Sequence, residues 1–369
     1  MELLKIGDEM KCLHIFSFDN NEKFSKTFIS FINKHFEEKE HHFLMTSGVD
    51  YTPSDSQESN VSILPYNIFS IKNLLGLFKE YDKIFLHGLS GNKYIEISLL
   101  LCPSVLSRCY WCIWGGDLYS YKQVNRNIKA KIRNSFRKII IRDMGHFITH
   151  VKGDYELAQK WYSAKGKYHY SFMYLSNTFS LNINKYIKEK EVKEKKYILI
   201  GNSGLNTNNH FDILEKLRNF SETNMVIICP LSYAHESNSE YKAMVINKGK
   251  ELFGEKFIPL TEFMPFEKYL EILDKVDIAI FNHKRQQALG NITTLLGLGK
   301  KVYIREEITT WQFCKDHDLK VYSANDNYDD LFEEMDEGIR QKNIENVKSK
   351  FSEEKLVEDL KQIFDEEIN

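Results

Sequence analysis

The stretch Val276-Asp277-Ile278-Ala279-Ile280-Phe281-Asn282-His283-Lys284-Arg285-Gln286-Gln287-Ala288-Leu289-Gly290-Asn291-Ile292-Thr293-Thr294-Leu295-Leu296 decides the fold. Its first six residues form an apolar run that reads as a buried parallel strand. Leu295, Leu296 and Leu298 mark the apolar side of a helix that Gly299 stops. Polar residues and a glycine therefore lie where a strand ends and a helix begins. Open α/β sheets bind ligands at that edge. The free N–H groups of a helix start, with the dipole behind them, favour an anion such as a phosphate. Arg285 adds a fixed charge with a planar fork of donors. We expect this loop to hold the diphosphate of a nucleotide-sugar.

Working outward, strands alternate with helices through the whole chain. In the N-terminal half, residues 11–18, 42–45, 61–64, 83–88 and 109–114 read as strands. Ile139-Ile140-Ile141 and Phe147–His150 also read as strands, and residues 168–176 as the last one. His41 and His42 read as solvated loop residues. In the C-terminal half, residues 197–200, 226–229, 256–260, 276–281, 301–304 and 320–322 are strand-like. This rhythm argues for α/β units with parallel sheets and helices on both faces. The charged, low-complexity run 182–196 reads as a linker. It divides a first domain, 1–185, from a second, 196–340. Residues 341–369 are acidic and helical, with Ser352 as a helix cap, and can cross back to the first domain.

The bulk numbers agree with two ordinary domains. The chain has 369 residues, 42% of them hydrophobic and 13% aromatic, which is inconsistent with disorder. A net charge of −2 makes the whole molecule a poor polyanion binder, so no nucleic acid is expected. No secretory signal is visible and no apolar run spans a bilayer, so a cytoplasmic setting is expected. The six cysteines are scattered, as in a reducing compartment. Cys109 and Cys112 have C-x-x-C spacing without a second Cys/His pair, and read as two strand cysteines rather than a zinc site.

Three strand ends of the second domain are polar and marked by glycine or proline: Gly201-Asn202-Ser203-Gly204, Pro230–Tyr233 and Lys284–Asn291. Glycines 201 and 204 let backbone approach a ligand. Asn202, Ser203 and Tyr233 are expected to seat the donor, with Arg285 and the N–H groups near Gly290 and Asn291 on its diphosphate, and Gln286 and Gln287 touching either phosphate or sugar. In the first domain, Asp117 and His87 each follow a buried strand. Either suits a general base acting on a sugar hydroxyl, Asp117 being preferred. Each also has a structural reading, Asp117 as a helix cap and His87 as a hydrogen-bonded core residue. No D-x-D pair suggests a metal-bound diphosphate, so neither metal nor cofactor is expected. The Asp326–Asp330 cluster reads as a solvated face.

Residues 122–142 hold eight Lys/Arg and no acid. Lys122, Arg126, Lys129, Arg133 and Arg137 share one helical face, beside an apolar stripe of Val124, Ile128, Ile132 and Phe136. Such a helix can lie on anionic lipid or guide an anionic acceptor. The stripe itself reads as core.

Ile113-Trp114-Gly115-Gly116-Asp117-Leu118-Tyr119, Ile198–Gly204, Arg285-Gln286-Gln287 with Gly290, and Trp311-Gln312 resemble, in order and interval, the TDP-Fuc4NAc:lipid II Fuc4NAc transferases of enterobacterial common antigen synthesis, glycosyltransferase family 56. The resemblance covers roughly residues 80–315. It implies a GT-B architecture, two Rossmann-like domains facing across a cleft, with the nucleotide held mainly by the second. It also implies a dTDP-activated deoxyamino sugar as donor and a polyprenyl-diphosphate-linked saccharide as acceptor, met by a peripheral protein at the cytoplasmic face of the inner membrane. The chain departs from the family pattern at Cys112, Gly116 and Leu289-Gly290-Asn291, near the expected acceptor and sugar pockets. A two-domain nucleotide-sugar epimerase and a non-catalytic sugar-binding clamp are the alternative readings of this architecture.

Overall fold

The computed structural model describes residues 10–16, 22–47, 59–65, 67–89, 92–123, 128–179, 194–232 and 239–367. They divide into two compact units, residues 1–176 with 354–369, and residues 177–353. The expected linker falls mostly on residues 180–193, outside the described residues.

The first unit is built on a seven-stranded parallel sheet in the order β3-β2-β1-β4-β5-β6-β7. Its strands are β1 (Cys12–Phe16), β2 (His41–Ser47), β3 (Val61–Pro65), β4 (Lys83–His87), β5 (Cys109–Cys112), β6 (His146–Ile148) and β7 (Lys167–His169). The helices between them are α1 (Glu22–His35), α2 (Ser70–Leu77), α3 (Lys93–Leu101), α4 (Gly116–Tyr119), α5 (Ile128–Asp143) and α6 (Lys152–Tyr162). β1, β4 and β5 are buried along their whole length, which is why they read as largely apolar runs, with His14, Lys83 and His87 as buried polar exceptions.

In-register parallel pairing sets partner side chains side by side. Phe43, His14, Phe85, Tyr110 and His146 are such partners on five adjacent strands. Their rings stack in one ladder, with centroids 4.9, 4.7, 4.8 and 4.0 Å apart. The final helix, α13 (Glu353–Asp365), covers this face through Phe364, which meets His14, His41 and Phe85 edge-on. Lys83 anchors its end, its buried ammonium donating to the carbonyls of Ile363 and Phe364 at 2.8 and 2.7 Å. A cation there satisfies the orphan carbonyls and opposes the helix dipole.

The second unit carries a six-stranded parallel sheet in the order β10-β9-β8-β11-β12-β13. The strands are β8 (Lys196–Ile200), β9 (Met225–Pro230), β10 (Phe257–Leu260), β11 (Ile278–Phe281), β12 (Lys301–Ile304) and β13 (Tyr322–Ser323). The helices are α7 (His210–Leu217), α8 (Ser239–Phe253), α9 (Phe266–Lys275), α10 (Leu289–Gly297), α11 (Thr309–Asp316) and α12 (Glu337–Lys350). In both sheets the chain reverses its direction of travel once, between β1 and β4 and between β8 and β11. Loops on either side of such a switch point diverge and leave a crevice at the carboxyl ends of the strands.

Four expectations are corrected. Ile139-Ile140-Ile141 is not a strand but the end of α5, with Ile140 and Ile141 buried and Ile139 42% exposed. The last strand of the first unit is shorter than 168–176; it is β7, and the aromatic run after it has no regular structure. His41 and His42 are not solvated loop residues but open β2, where His41 is buried and His42 half-buried. The stripe of α5 is not core: Ile128, Ile132 and Phe136 are 70%, 50% and 46% exposed. The helix instead turns two arginines inward. Arg133 forms a two-pronged pair with the buried Glu96 of α3, both bonds 3.0 Å, and Arg137 is buried against Ser120 and the Asp117 carbonyl. This arginine–glutamate pairing holds α5 on α3 and leaves its apolar stripe in water.

Candidate functional site

The crevice of the second unit gathers most of the residues expected to bind the donor. Gly201 follows β8 at φ +64°. A Cβ there would lie 2.6 Å from His210 Nε2 and 2.8 Å from Asn208 Oδ1, so only glycine lets this turn close on the polar residues behind it. The Asn202 N–H donates to Asn208 Oδ1 at 2.8 Å, and the Asn208 amide donates to Ser203 Oγ at 2.8 Å and to the Leu205 carbonyl at 3.0 Å. His283 Nε2–H, just after β11, donates to the same Asn208 oxygen at 3.1 Å. Asn208 thus spends two acceptor and two donor positions, its full capacity, fully buried between the two loops.

Gln287 is a second tie. Its amide donates to Asn202 Oδ1 at 3.3 Å and its oxygen accepts from Thr207 Oγ1 at 2.9 Å. Gln287 is therefore a strut between loops, whereas Arg285 and Gln286 remain half-exposed beside it. Arg285 donates to the Gln286 carbonyl at 2.8 Å, which steadies the loop. Ala288, immediately before α10, has φ +61°, a strained value for a residue with a Cβ. The first turn-closing bond of α10 runs from Ile292 N–H to the Ala288 carbonyl at 3.0 Å. The amides of Leu289, Gly290 and Asn291 precede it, at the positive end of the helix. Asn291 is held by Tyr269, whose hydroxyl accepts from it at 3.0 Å. Tyr233 lies outside the described residues.

In the first unit, Asp117 and His87 both sit at the carboxyl end of the sheet, but differently. Oδ2 of Asp117 accepts from the Leu89 N–H at 3.0 Å and the Trp111 indole at 2.7 Å. Oδ1 accepts from the amides of Trp114 at 3.1 Å and Leu118 at 2.8 Å. Four donors fill a carboxylate, and this one is buried. The geometry makes Asp117 a clamp that joins the ends of β4 and β5 to α4.

His87 is also buried, with both ring nitrogens engaged. Nδ1 meets the Tyr174 hydroxyl at 2.6 Å and Nε2 meets His14 Nδ1 at 3.1 Å. The Trp114 indole donates to the same Tyr174 oxygen at 2.7 Å. Burial lowers the His87 pKa to about 3, so the ring is neutral. Tyr174, His14, Asn208, Thr207 and His283 were not singled out from sequence; each becomes visible only once distant loops or strands are brought together.

The remaining candidates scatter. Lys122 is exposed with its ammonium 5.1 Å above the Trp161 ring. Arg126 lies outside the described residues, and of Lys129 only the helical backbone is described. Cys109 and Cys112 are buried in β5, where desolvation pushes both thiols well up. Among the described residues, His146, His169 and Glu366 offer ligand atoms within 4.8 Å of one another. His169 stands between the other two, 2.9 Å from His146 and 3.3 Å from Glu366, and Lys167 occupies the remaining carboxylate oxygen at 2.5 Å. This is a satisfied hydrogen-bonded line rather than an open set of ligands.

Comparison with solved structures places the fold. A glycosyltransferase from Rickettsia africae superposes with a TM-score of 0.67 at 10% identity, over 97% of this chain and 98% of the other. HepE from Anabaena, solved with UDP and glucose, gives 0.65 at 11% identity over 96% and 98%. Sucrose-phosphate synthase from Thermosynechococcus elongatus gives 0.67 at 9% identity over 96% and 98%. At such identities the likeness concerns architecture alone, and that architecture is GT-B. Residues 10–355 match the family model described as 4-alpha-L-fucosyltransferase, glycosyl transferase group 56. The chain belongs to glycosyltransferase family 56.

Proposed function

We propose that this enzyme moves a deoxyamino sugar, Fuc4NAc or a close relative, from a dTDP donor to a polyprenyl-diphosphate-linked saccharide during surface polysaccharide synthesis. The observation that carries the reading is the pair of loops that follow β8 and β11 and are joined to each other. There the Gly201–Gly204 turn, Arg285 and the leading amides of α10 converge beside a single polar network. The helix amides and Arg285 stabilise the departing diphosphate, and the β8 turn admits the nucleotide close to the backbone. The strand ends of the first unit take the acceptor, with Tyr174 and His87 receiving its hydroxyl proton and Asp117 holding that edge rigid.

A thermal-shift screen of dTDP, UDP and GDP tests this. A nucleotide at one hundred times its Kd stabilises by about 2.7 kcal/mol. The expected result is a shift with dTDP that exceeds both others and disappears in Arg285→Ala. A screen in which no nucleotide shifts the transition, or an Arg285→Ala variant with the full shift, defeats the assignment.

Among the described residues no helix is long and apolar enough to cross a membrane. We assign membrane contact instead to α5. Ile128, Ile132, Phe136 and Ile139 recur every three to four residues and stay exposed, with exposed Lys131, Lys138 and Arg142 beside them. An apolar stripe flanked by cations suits the boundary between headgroups and chains of an anionic bilayer. Ile132→Asp with Phe136→Asp removes about 2 kcal/mol of burial, roughly thirtyfold in partitioning to phosphatidylglycerol vesicles. Folding stability should fall far less than vesicle binding, because about half of each side chain already faces water. Unchanged vesicle binding removes the assignment.

A further inference from the structure

Behind His87 the hydrogen bonds continue. His14 Nδ1 meets His87, and His14 Nε2 meets His41 Nδ1 at 3.0 Å. His41 opens β2, His14 lies mid-way along β1, and His87 closes β4. The three rings therefore run diagonally across three neighbouring strands, on one face, from the amino to the carboxyl edge of the sheet. At the carboxyl edge the line ends on Tyr174 and Trp114. At the amino edge His41 lines a surface depression with Lys11, Glu38, Lys39, His42, Ser59, Asn60 and Tyr81.

We propose that His14 and His41 form a proton wire that carries the acceptor's hydroxyl proton from Tyr174 and His87 through the sheet to this depression. The inference rests on the reading that the acceptor is deprotonated at the Tyr174 end. An indole can only donate, so Trp114 occupies a lone pair of Tyr174 and leaves the phenol O–H for His87 Nδ1. His87 then carries its proton on Nε2 and gives it to His14 Nδ1; His14 does the same toward His41.

The acceptor O–H bond breaks and its proton goes to the Tyr174 oxygen as the phenolic proton passes to His87 Nδ1. The Nε2 protons of His87 and His14 each move one ring onward, and His41 releases its own to water beside Glu38. The electron pair of the acceptor oxygen forms the bond to the anomeric carbon, and the nucleoside diphosphate leaves with the old bonding pair. The wire resets when a proton enters at His41 and another leaves Tyr174 into the emptied, water-filled site.

The surroundings explain why the proton must pass through. Phe16 stacks on His87 at 4.0 Å, Phe43 and Phe85 sandwich His14, and Phe28 and Phe364 close the remaining sides. No ring in this apolar sleeve can keep an added charge: burial, reinforced for His14 by its histidine neighbours, holds all three pKa values down. A relay that leaves every ring neutral at its start and finish avoids that cost.

His14→Phe tests the wire, because phenylalanine keeps the ring stack and removes both nitrogens. Turnover should fall about tenfold or more with the donor KM unchanged. Tyr174→Phe should fall alike, and the double variant no further, as expected for links in series. In mixtures of light and heavy water, wild-type kcat should curve with deuterium fraction, the mark of several protons in flight, and the His14→Phe variant should lose the curvature. If Tyr174→Phe is slow while His14→Phe turns over normally, His87 acts locally and the wire is wrong. If both turn over normally, deprotonation at this end is wrong and the wire falls with it. Should His14→Phe not fold, His41→Gln at the outer end carries the same expectations.

Discussion

Asn208→Ala should be among the most damaging single substitutions in the second unit. The change strands the Asn202 N–H, the His283 N–H, the Ser203 hydroxyl and the Leu205 carbonyl around a fully buried site. Each stranded group costs about 1–3 kcal/mol, less where water enters the gap, so a total of about 4 kcal/mol is expected. For a unit of this size that lowers Tm by roughly 10 °C. The same network fixes the β8 turn against the loop after β11, so nucleotide binding should be lost beyond what the lower stability accounts for. Two readouts check this: calorimetric Tm, and nucleotide titration well below the variant's own transition. A variant within about 2 °C of wild type with full nucleotide affinity means that the two loops are held by something other than Asn208.

That Asn208 escaped the sequence reading has a physical reason. Asn206, Thr207, Asn208 and Asn209 are four polar residues in a row, and nothing local distinguishes the one that lies under the turn. Its partner His283 is 75 positions away. The fold itself was far more legible. Ile198–Ile200, Met225–Cys229 and Ile278–Phe281 are buried on both faces, so their apolar runs carry no competing helical or alternating period. The placement of Arg285 after a strand and of Gly290 at a helix start was legible for the same reason, since both are local signals.

Ile139-Ile140-Ile141 misled because three β-branched residues favour a strand locally. The helical period of the sixteen-residue α5 overrides them by turning Arg137, Ile140 and Ile141 inward together. Asp117 shows a limit of another kind. A carboxylate after a buried strand looks the same whether it serves as base or clamp. The decision belongs to the Leu89 amide, 28 positions away, and to the Trp111 indole. His14 and His41 were equally silent, because a histidine inside a short strand resembles one in a loop until register lines it up with its neighbours.

The buried histidines should also make the first unit fail steeply in mild acid. His14, His41 and His87 are neutral in the fold, with His87 lowered to about 3 and His41 to about 4, both by burial, and His14 well below its usual value by burial and its histidine neighbours. In the unfolded chain each returns to about 6.5. Below that pH the unfolded chain binds protons that the folded one refuses, so stability falls as pH falls. The contribution is fully present above about pH 7 and drains away from there down to the folded values near 3–4. Each ring is worth about 1.4 kcal/mol at pH 5.5, and three together about 4 kcal/mol, a large share of an ordinary domain's 5–15 kcal/mol. Urea midpoints measured between pH 7.5 and 5.5 should drop progressively, with more than three protons taken up on unfolding at the acid end, because burial also lowers His42, His146 and His169 of the same unit. His14→Phe should remove one of those protons and flatten the slope by roughly a sixth. Since the phenylalanine also preserves the stack between Phe43 and Phe85, it should gain on the wild type as pH is lowered. A midpoint that stays level down to pH 5.5, or a His14→Phe slope equal to wild type, would mean that at least one of these rings accepts a proton without unfolding, and with it a charge that the apolar sleeve is argued to exclude.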